Sequence, residues 1–327
     1  MRKRVALWDN IRFFLITMVV IGHFADEFTH QSDAYKSIFL FIYAFHMPLF
    51  IFISGHLHKN NKILEKCFFY VSAGFLLKIV LTISFWCTGH EPSFSLLSDA
   101  SLPWFLFALA FYTCITYVLR ERHKGFVLFL SVLVACFVGF DSSVTDYLYI
   151  SRIVIFFPFY WAGTMIETDT ILQLKKKKII VMSAIAIILA WALICFFQLD
   201  RIYMLRYLFT GRNAFWPEIR GFGPFARLVT YVLSAIISFT VILICPSKNI
   251  KWVSKMGTRS IDVYVWHTPV FLVVDNVMHF SRLFSFGIIG KIAYLLLAVL
   301  LSILLSQGGL IGYPIEILRK YCYEKVN

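Results

Sequence analysis

Charged side chains are scarce in this sequence. They account for 15% of the 327 residues, whereas soluble globular proteins carry about 25%. Hydrophobic residues make up 60% of the chain and include 35 phenylalanines. A soluble fold of this length has no interior large enough for so much apolar surface, and the same composition excludes disordered, collagen-like and disulfide-scaffold chains. The composition therefore predicts a membrane protein.

The common catalytic and metal-binding motifs are also absent. The sequence contains no P-loop, no G-x-S-x-G nucleophile motif, no D-x-D pair and no zinc-ligand spacing. Its seven cysteines stand singly, without a C-x-x-C pair, which favours neither a zinc site nor a disulfide framework. We therefore expect no metal and no permanently bound cofactor. Any chemistry would depend on histidine, arginine and carboxylate side chains.

Long apolar runs divide the chain into ten segments joined by short connections. A helix that crosses a bilayer needs about 20 apolar residues. The apolar windows fall at 11–27, 37–57, 67–88, 103–120, 125–140, 147–166, 179–198, 225–245, 261–280 and 287–306. The pattern predicts an all-α integral membrane protein with about ten transmembrane helices. We expect residues 1–327 to form a single polytopic domain with no appended soluble domain.

Lysine and arginine are distributed unevenly over this topology. Twenty-one of the 31 fall on the side of the N-terminus, six fall on the other side, and four lie within or at the edge of helices. Because cytoplasmic loops are enriched in Lys and Arg, both termini are predicted to be cytoplasmic. The net charge of +13 is thus typical of membrane topology. Nucleic-acid binding is not expected, since it would require the basic residues to cluster with aromatics on a soluble surface.

The first predicted helix carries ionisable residues that cost about 2.5–3.5 kcal/mol each inside a bilayer. Arg12 and His23 are three turns apart, so they share a helix face and differ in depth by about 16 Å. Asp26 and Glu27 follow His23 by three and four residues, which places either carboxylate beside the imidazole. A carboxylate there would fix the tautomer and raise the basicity of His23 as a general base. The alternatives are interhelical hydrogen bonding for His23 and an interfacial anchor for Arg12.

The second predicted helix carries His46, at a depth similar to that of His23. Pro48 frees a backbone carbonyl near position 44, which a donor must then satisfy. The alternative for Pro48 is a packing kink. Ser54 and Gly55, near the cytoplasmic end, indicate either a polar site or a close helix contact.

Arg152 lies in the outer third of the sixth predicted helix, where it must face a polar cavity. Its partner would be a carboxylate, such as Asp26 or Glu27, or the polar groups of a substrate. On the ninth helix Tyr264 and His267 share a face, and structural hydrogen bonding is the favoured interpretation of that pair. The loop at 199–222 mixes arginines with aromatics, as either a sugar-binding platform or an interfacial belt would.

Several of these motifs recur together along the chain. They are Asp9-Asn10-Ile11-Arg12, Val20-Ile21-Gly22-His23, Phe45-His46-Met47-Pro48 through Ser54-Gly55, Pro103-Trp104-Phe105, Arg152 to Gly163, and Gly257-x-x-Ser260-x-x-x-Tyr264-x-x-His267. Together they resemble the membrane-bound acyltransferase-3 family and, within it, the fucose 4-O-acetylase-like branch. The resemblance covers essentially the whole chain.

The resemblance implies transfer of an acyl group, usually acetyl from cytoplasmic acetyl-CoA, to a hydroxyl of a cell-surface glycan or a lipid-linked oligosaccharide. The family's essential Arg-x10-His pair corresponds to Arg12 and His23. The expected partners are acetyl-CoA, the glycan and membrane lipids, and the expected location is the bacterial cytoplasmic membrane. The candidate residues fall into three groups: His23 and Asp26 for catalysis; Arg12, Asp9 and Ser54 for donor binding; and His46, Arg152 and His267 in the acceptor site or cavity.

Three alternatives remain open from the sequence. The same scaffold can transfer succinyl or another acyl group. The buried charges can line a pathway in a transporter or flippase for a lipid-linked sugar, although the repeated halves common in transporters are not seen. A non-catalytic membrane sensor is the third possibility, and it leaves the pairing of His23 with Asp26 unexplained.

Overall fold

The protein is represented by a computed structural model that describes residues 5–91, 94–98, 102–144, 146–212 and 214–325. Arg2, Lys3 and Arg4, which contributed to the topology prediction, lie outside the described residues, as does the side chain of Lys325. The described chain is almost entirely helical. Within it, β-type pairing is limited to an isolated bridge between Ser98 and Tyr147.

Sixteen α-helices follow one another along the described residues. They are α1 (Ala6–Glu27), α2 (Asp33–Tyr43), α3 (His46–His56), α4 (Ile63–Cys87), α5 (Trp104–Val118), α6 (Lys124–Phe137), α7 (Ile150–Gly163), α8 (Thr168–Lys175), α9 (Lys178–Phe197), α10 (Leu199–Ile202), α11 (Arg206–Thr210), α12 (Gly223–Ile244), α13 (Lys251–Gly257), α14 (Ser260–Met278), α15 (Gly287–Leu305) and α16 (Tyr313–Lys325).

Each predicted apolar window coincides with one helix or, in one case, with two. Among the described residues, six stretches are long and apolar enough to cross a membrane: Ala6–Glu27, Asp33–His56, Ile63–Cys87, Lys178–Phe197, Pro217–Ile244 and Gly287–Leu305. Helices α5, α6 and α7 are apolar but shorter, at 15, 14 and 14 residues. The chain is a multi-pass, all-helical membrane protein. Ten crossings and the cytoplasmic position of the termini stay predictions.

The second apolar window is interrupted where α2 ends and α3 begins. Pro48 lies in the first turn of α3 and has no N–H to donate, so the hydrogen-bond ladder of α2 cannot continue through it. The side chain of His46 fills part of the gap, since its Nδ1 lies 2.9 Å from the carbonyl oxygen of Ile42. Pro48 thus coincides with a break in the helix, and His46 is a donor at this break, although it bonds to Ile42 and not to the carbonyl expected near position 44.

Helices α3 and α7 approach so closely that only glycine fits at the contact. A Cβ on Gly55 would lie 1.9 Å from the carbonyl oxygen of Tyr160, and a Cβ on Gly163 would lie 2.1 Å from that of Phe52. The close helix contact expected as one interpretation of Ser54-Gly55 is confirmed. It holds the C-terminal half of α7 against α3, at the end of the helix away from Arg152.

The connections gather at two ends of the helix bundle. The basic end holds those that follow α3, α5, α7, α12 and α15, and the opposite end holds those that follow α1, α4, α6, α9 and α14. At the basic end, Nδ2 of Asn10 donates to the carbonyl oxygens of Pro246 and Lys248, at 2.9 Å each. At the opposite end, the hydroxyl of Tyr294 donates to the carboxylate of Glu27. Connections that the sequence assigns to one side therefore meet in the structure.

Candidate functional site

Three histidines from different helices meet inside the bundle. His23 lies on α1, His46 on the first turn of α3 and His267 on α14. The ring centroids of His23 and His267 are 5.4 Å apart, and His46 faces the same cavity as His23. Among the described residues, no group of three His, Cys, Asp or Glu side chains is placed to hold a metal ion. The structure thus joins three residues that the sequence analysis selected separately.

His46 and His267 are both fixed by backbone carbonyls. Nδ1 of His267 lies 2.9 Å from the carbonyl oxygen of Val263 and 3.0 Å from that of Tyr264. Because a carbonyl oxygen only accepts, Nδ1 carries the proton in each neutral ring and Nε2 carries a lone pair. Nε2 of His267 is buried and has no hydrogen-bond partner among the described residues. An unsatisfied acceptor therefore lies next to His23.

The expected structural bonding of Tyr264 and His267 is confirmed, but the two side chains do not bond to each other. The Tyr264 hydroxyl donates to the carbonyl oxygen of Leu102, next to the start of α5. His267 bonds to its own helix through Nδ1. Tyr264 therefore anchors the chain at the start of α5. His267 keeps one ring nitrogen, Nε2, without a hydrogen-bond partner among the described residues.

His23 lies on the wall between two cavities. The central cavity has a volume of 260 Å³ and includes Asp26, Tyr43, His46, Trp104, Arg152 and Arg212 in its lining. The side cavity has a volume of 450 Å³ and includes Glu27, Thr88, His90, His267, Asp275 and Asn276. His23 and Thr268 line both. The ring nitrogens of His23 make no hydrogen bond within the described residues, so the imidazole is free to contact a molecule in either cavity.

Asp26 is not the direct partner expected for His23. It is exposed in the lining of the central cavity, and no hydrogen bond joins it to His23 among the described residues. Glu27 instead accepts a hydrogen bond from Tyr294. The spacing of three residues does place Asp26 on the same face of α1, but the ring of His23 packs against His267. The predicted carboxylate–imidazole pair is therefore absent, and a catalytic role for Asp26 stays a prediction.

Arg152 is buried, with 4% of its side chain exposed, and it pairs with a carboxylate of the preceding loop. Its Nη2 lies 2.8 Å from Oδ1 of Asp146, while Nη2 of Arg212 lies 2.7 Å from Oδ2. Burial alone would raise the pKa of Asp146, but the hydrogen bonds from Arg212 and Arg152 outweigh it and hold that pKa below its ordinary value. The partner is thus Asp146 and not a carboxylate of α1. Two guanidinium groups therefore share one carboxylate beside the central cavity.

The candidate donor-binding residues lie near the basic end. Arg12 and Asp9 form an ion pair across one turn of α1. Ser54 donates to the carbonyl oxygen of Phe50 within its own helix, at 2.9 Å. No hydrogen bond or ion pair among the described residues joins Ser54 to Asp9 or Arg12. The structure therefore brings Asp9 and Arg12 together and leaves Ser54 apart.

Some aromatic residues of the loop at 199–222 lie together, since the ring centroids of Tyr207 and Trp216 are 5.7 Å apart. Phe209 and Phe215 are buried in the protein interior. The guanidinium of Arg206 instead lies over two tyrosine rings, 4.4 Å from the centroid of Tyr203 and 4.6 Å from that of Tyr207. Arg212, from the same loop, reaches the central cavity. The loop therefore contributes Arg212 to the site, and the sugar-binding platform stays a prediction.

The site residues that sequence reasoning missed include Asp146, Thr268 and, at the basic end, Asn10 as an individual residue. Asp146 follows a polar run with no helical period, so no spacing rule connects it with Arg152. Thr268 is one of several hydroxyl residues in apolar helices, and only its place directly after His267 indicates a site. Asn10 lies inside a motif that the analysis quoted, but the sequence does not show its bonds to residues more than 230 positions away.

The fold and the site define a multi-pass membrane protein with histidines gathered between cavities inside its helix bundle. Residues 5–307 match the family model described as an acyltransferase domain. The chain therefore belongs to the acyltransferase-3 family. It is also similar to the nodulation protein NolL of Mesorhizobium japonicum, with 39% identity over 84 residues, which cover 25% of this chain and 22% of that protein. No solved structure matches the chain.

Proposed function

We propose that the protein transfers an acetyl group from cytoplasmic acetyl-CoA to a hydroxyl group of a cell-surface polysaccharide or its lipid-linked precursor. The enzyme would act in the bacterial cytoplasmic membrane and belong to the fucose 4-O-acetylase-like branch of its family. Family membership supports acyl transfer. The arrangement around His23 supports the assignment of that residue as the general base.

The observation that carries this proposal is the position of His23 between two cavities. Both cavities include residues from the opposite end of the bundle, such as Arg212 in the central cavity and His90 in the side cavity. Arg152 and Asp146 are bound to each other, and the Nδ1 atoms of His46 and His267 are bound to backbone. The imidazole of His23 is the group at this junction with both nitrogens available, among the described residues.

The proposed reaction is direct transfer. A nitrogen lone pair of His23 takes the proton from the acceptor hydroxyl while the oxygen attacks the carbonyl carbon of the thioester. The new C–O bond forms, the C–S bond breaks, and the CoA thiolate leaves with its electron pair and takes up a proton. Because water competes with the acceptor for the acetyl group, a cavity inside the helix bundle favours transfer over hydrolysis.

We assign His267 as a positioning residue for this step. Its buried Nε2 carries a lone pair and lacks a partner among the described residues, and its ring neighbours that of His23. A neutral His23 that donates its one N–H toward this lone pair presents the other nitrogen, unprotonated, to the acceptor. When His23 takes the proton, the same interaction stabilises the imidazolium. His267 would thus perform the task that the sequence analysis assigned to Asp26.

The central cavity is the proposed acceptor site. Its volume of 260 Å³ is slightly below the range of about 300–1,000 Å³ typical of ligand pockets, which suits a single sugar ring. Hydroxyl, carboxylate and guanidinium groups line it together with the Trp104 ring, and such groups hydrogen-bond to sugar hydroxyls and stack on sugar faces. Arg152 would then orient the acceptor, while Asp146 keeps its guanidinium in place.

Acetyl-CoA turnover by the purified protein in liposomes separates this function from transport of a lipid-linked sugar. We expect release of free CoA thiol from acetyl-CoA, increased by a glycan acceptor and lost in His23→Ala. A protein that moves the lipid-linked sugar across the liposome membrane without releasing CoA would contradict the proposal and favour the transporter. Competition with succinyl-CoA in the same assay identifies the acyl group.

A further inference from the structure

A third cavity lies at the basic end, next to the ion pair of Asp9 and Arg12. Its volume is 470 Å³, and its lining includes Ala6, Asp9, Asn249, Lys251, Lys255 and Thr258. The cavity shares no lining residue with the two cavities at His23. It therefore needs an interpretation of its own.

Two lysines give this cavity its positive charge. Lys251 and Lys255 are one turn apart, so they project from the same face of α13. Both are exposed, and neither forms an ion pair with another described residue. The carboxylate in the lining, that of Asp9, is already bound to Arg12. The two ammonium groups are therefore available to an anion from solution.

The backbone beneath these lysines is held by buried contacts with α1. Asn10, with 2% of its surface exposed, donates to the carbonyl oxygens of Pro246 and Lys248. The same side chain accepts a hydrogen bond of 2.7 Å from Oγ of Ser254. At the end of α13, a Cβ on Gly257 would lie 1.8 Å from the carbonyl oxygen of Asp9. These contacts fix the position of α13, so the cavity is a built feature of the fold and not a chance grouping of surface lysines.

We propose that this cavity binds the phosphomonoester on the ribose of acetyl-CoA, with Lys251 and Lys255 as the two cationic contacts. The inference rests on the proposed function, because it takes acetyl-CoA as the donor. A phosphomonoester carries close to two negative charges at neutral pH, which matches two ammonium groups one helical turn apart. Asn249 supplies a neutral hydrogen-bonding group beside them.

The distance along α1 agrees with the length of the donor. His23 lies 14 residues beyond Asp9, which corresponds to about 21 Å along the helix axis. If its length per bond is that of an extended peptide chain, the phosphopantetheine arm of CoA spans roughly 17 Å. The diphosphate of CoA covers the rest of the distance between Asp9 and His23. A donor held by its ribose phosphate at this cavity is therefore long enough to span the distance to His23, with Arg12 near the diphosphate.

A phosphate group at this position can also come from an anionic lipid. Trp252, between the two lysines in sequence, has 58% of its surface exposed, as an aromatic at a membrane interface would. The shared chemistry is a phosphate bound by two ammonium groups. The experiment must therefore distinguish the ribose phosphate of the donor from a lipid headgroup.

The test measures binding of acetyl-CoA and of 3′-dephospho-acetyl-CoA to the full chain in nanodiscs of zwitterionic lipid and, in a parallel arm, in nanodiscs that contain anionic lipid. We expect the wild type to bind acetyl-CoA about tenfold more tightly, the effect of one or two charge-assisted contacts at an exposed site. The double variant Lys251→Gln/Lys255→Gln should bind both compounds with the weaker affinity. Lys248→Gln is the matched control, because this exposed lysine lies on the same connection and does not line the cavity.

The outcomes separate this inference from the proposed function. Equal wild-type affinities for the two compounds would overturn the phosphate site and leave acetyl-CoA as the donor. Binding of neither compound would contradict the donor itself, and the phosphate site with it. A loss in the double variant that occurs only in nanodiscs with anionic lipid would assign the lysines to lipid headgroups and overturn the inference. The same loss in Lys248→Gln would show a general charge effect, which also overturns it.

Discussion

The two ends of the helix bundle hold their cations in different ways. At the basic end, Lys251 and Lys255 are exposed and have no ion-pair partner among the described residues. At the opposite end, Arg152 and Arg212 are bound to the two oxygens of Asp146. Flexible, solvated ammonium groups suit an anion that arrives and leaves, whereas paired guanidinium groups form a wall of fixed geometry. The difference agrees with the proposed donor exchange at the basic end and the proposed acceptor positioning at the opposite end.

The largest expected effect on acetyl transfer comes from substitution of His23, which lies between the two cavities. His23→Ala should abolish acetyl transfer, because no other imidazole in the described structure has both nitrogens free at the junction of the cavities. Donor affinity and membrane insertion should be unchanged, since the basic end is untouched. Transfer of radiolabelled acetyl and acetyl-CoA binding would be measured on the same preparation. Activity above a few per cent of the wild type would exclude His23 as the base.

A smaller but still large effect is expected at His267. His267→Ala should lower kcat by about 10²-fold, within the usual range for a general-base contribution, while donor affinity stays the same. His267→Gln should recover part of the rate, because its amide oxygen can accept the N–H of His23. Steady-state kinetics with both variants provide the test. A purely structural role would instead lower thermal stability in both variants and leave kcat per folded molecule unchanged.

A substitution of Asp146 tests whether its ion pairs hold Arg152 and Arg212 in place beside the central cavity. Asp146→Asn should lower the free energy of unfolding by about 2 kcal/mol, less than for a fully buried pair because Asp146 and Arg212 are partly exposed. Acceptor KM should rise, and donor affinity should not change. Thermal unfolding in detergent and transfer kinetics measure the two effects. Asp141→Asn is the control, because this carboxylate lies on the same loop and its hydrogen bonds come from Ser143 and the backbone of Val144, with no arginine among them. Identical behaviour of the two variants would remove Asp146 from the account.

Arg12 tests the basic end. Arg12→Ala should weaken acetyl-CoA binding about tenfold, as expected for loss of one charge-assisted contact to phosphate. Lysine at this position should restore binding only in part, because it lacks the two-pronged geometry of the guanidinium. Equilibrium binding of acetyl-CoA to the three proteins gives the answer. Equal donor affinity in all three would show that Arg12 serves only the ion pair with Asp9.

The smallest expected effect is a difference in salt dependence between donor affinity and acceptor KM, which compares the two ends without a mutation. Raising the salt concentration from 0.1 to 1 M shortens the screening length from about 10 to 3 Å. Donor affinity should fall severalfold, since Lys251 and Lys255 are exposed. Acceptor KM should change little, because Arg152 is buried and paired. Equal salt dependence of the two constants would contradict the contrast between the ends.

The helices were predictable from the sequence to a large extent, and their limits were less so. Apolar runs are the dominant signal in a membrane chain, so every predicted window contains a helix. The break between α2 and α3 lies where Pro48 frees a carbonyl near position 44, but the bond from His46 to the carbonyl oxygen of Ile42 was not predictable from the sequence. Helices α5 to α7 came out shorter than their windows, because apolar residues of the connections extend an apolar run beyond the helix itself.

The site was predictable residue by residue but not pair by pair. His23, His46, Arg152 and His267 stood out because ionisable groups are costly in a bilayer. Their partners did not, because the local spacing rules that favoured Asp26 do not describe contacts between helices. The neighbour of His23 is on α14, and the partner of Arg152 is in a loop. Tertiary packing decides both, and a single sequence does not encode it in any local pattern.

The central claim is that the protein acetylates a surface glycan with His23 as the general base. Proton NMR of surface polysaccharide tests it most directly, with a deletion strain complemented by the wild-type chain or by His23→Ala at equal membrane levels. The account predicts that O-acetyl signals disappear on deletion, return with the wild type and stay absent with His23→Ala. O-acetyl signals of equal intensity in all of these strains would contradict it.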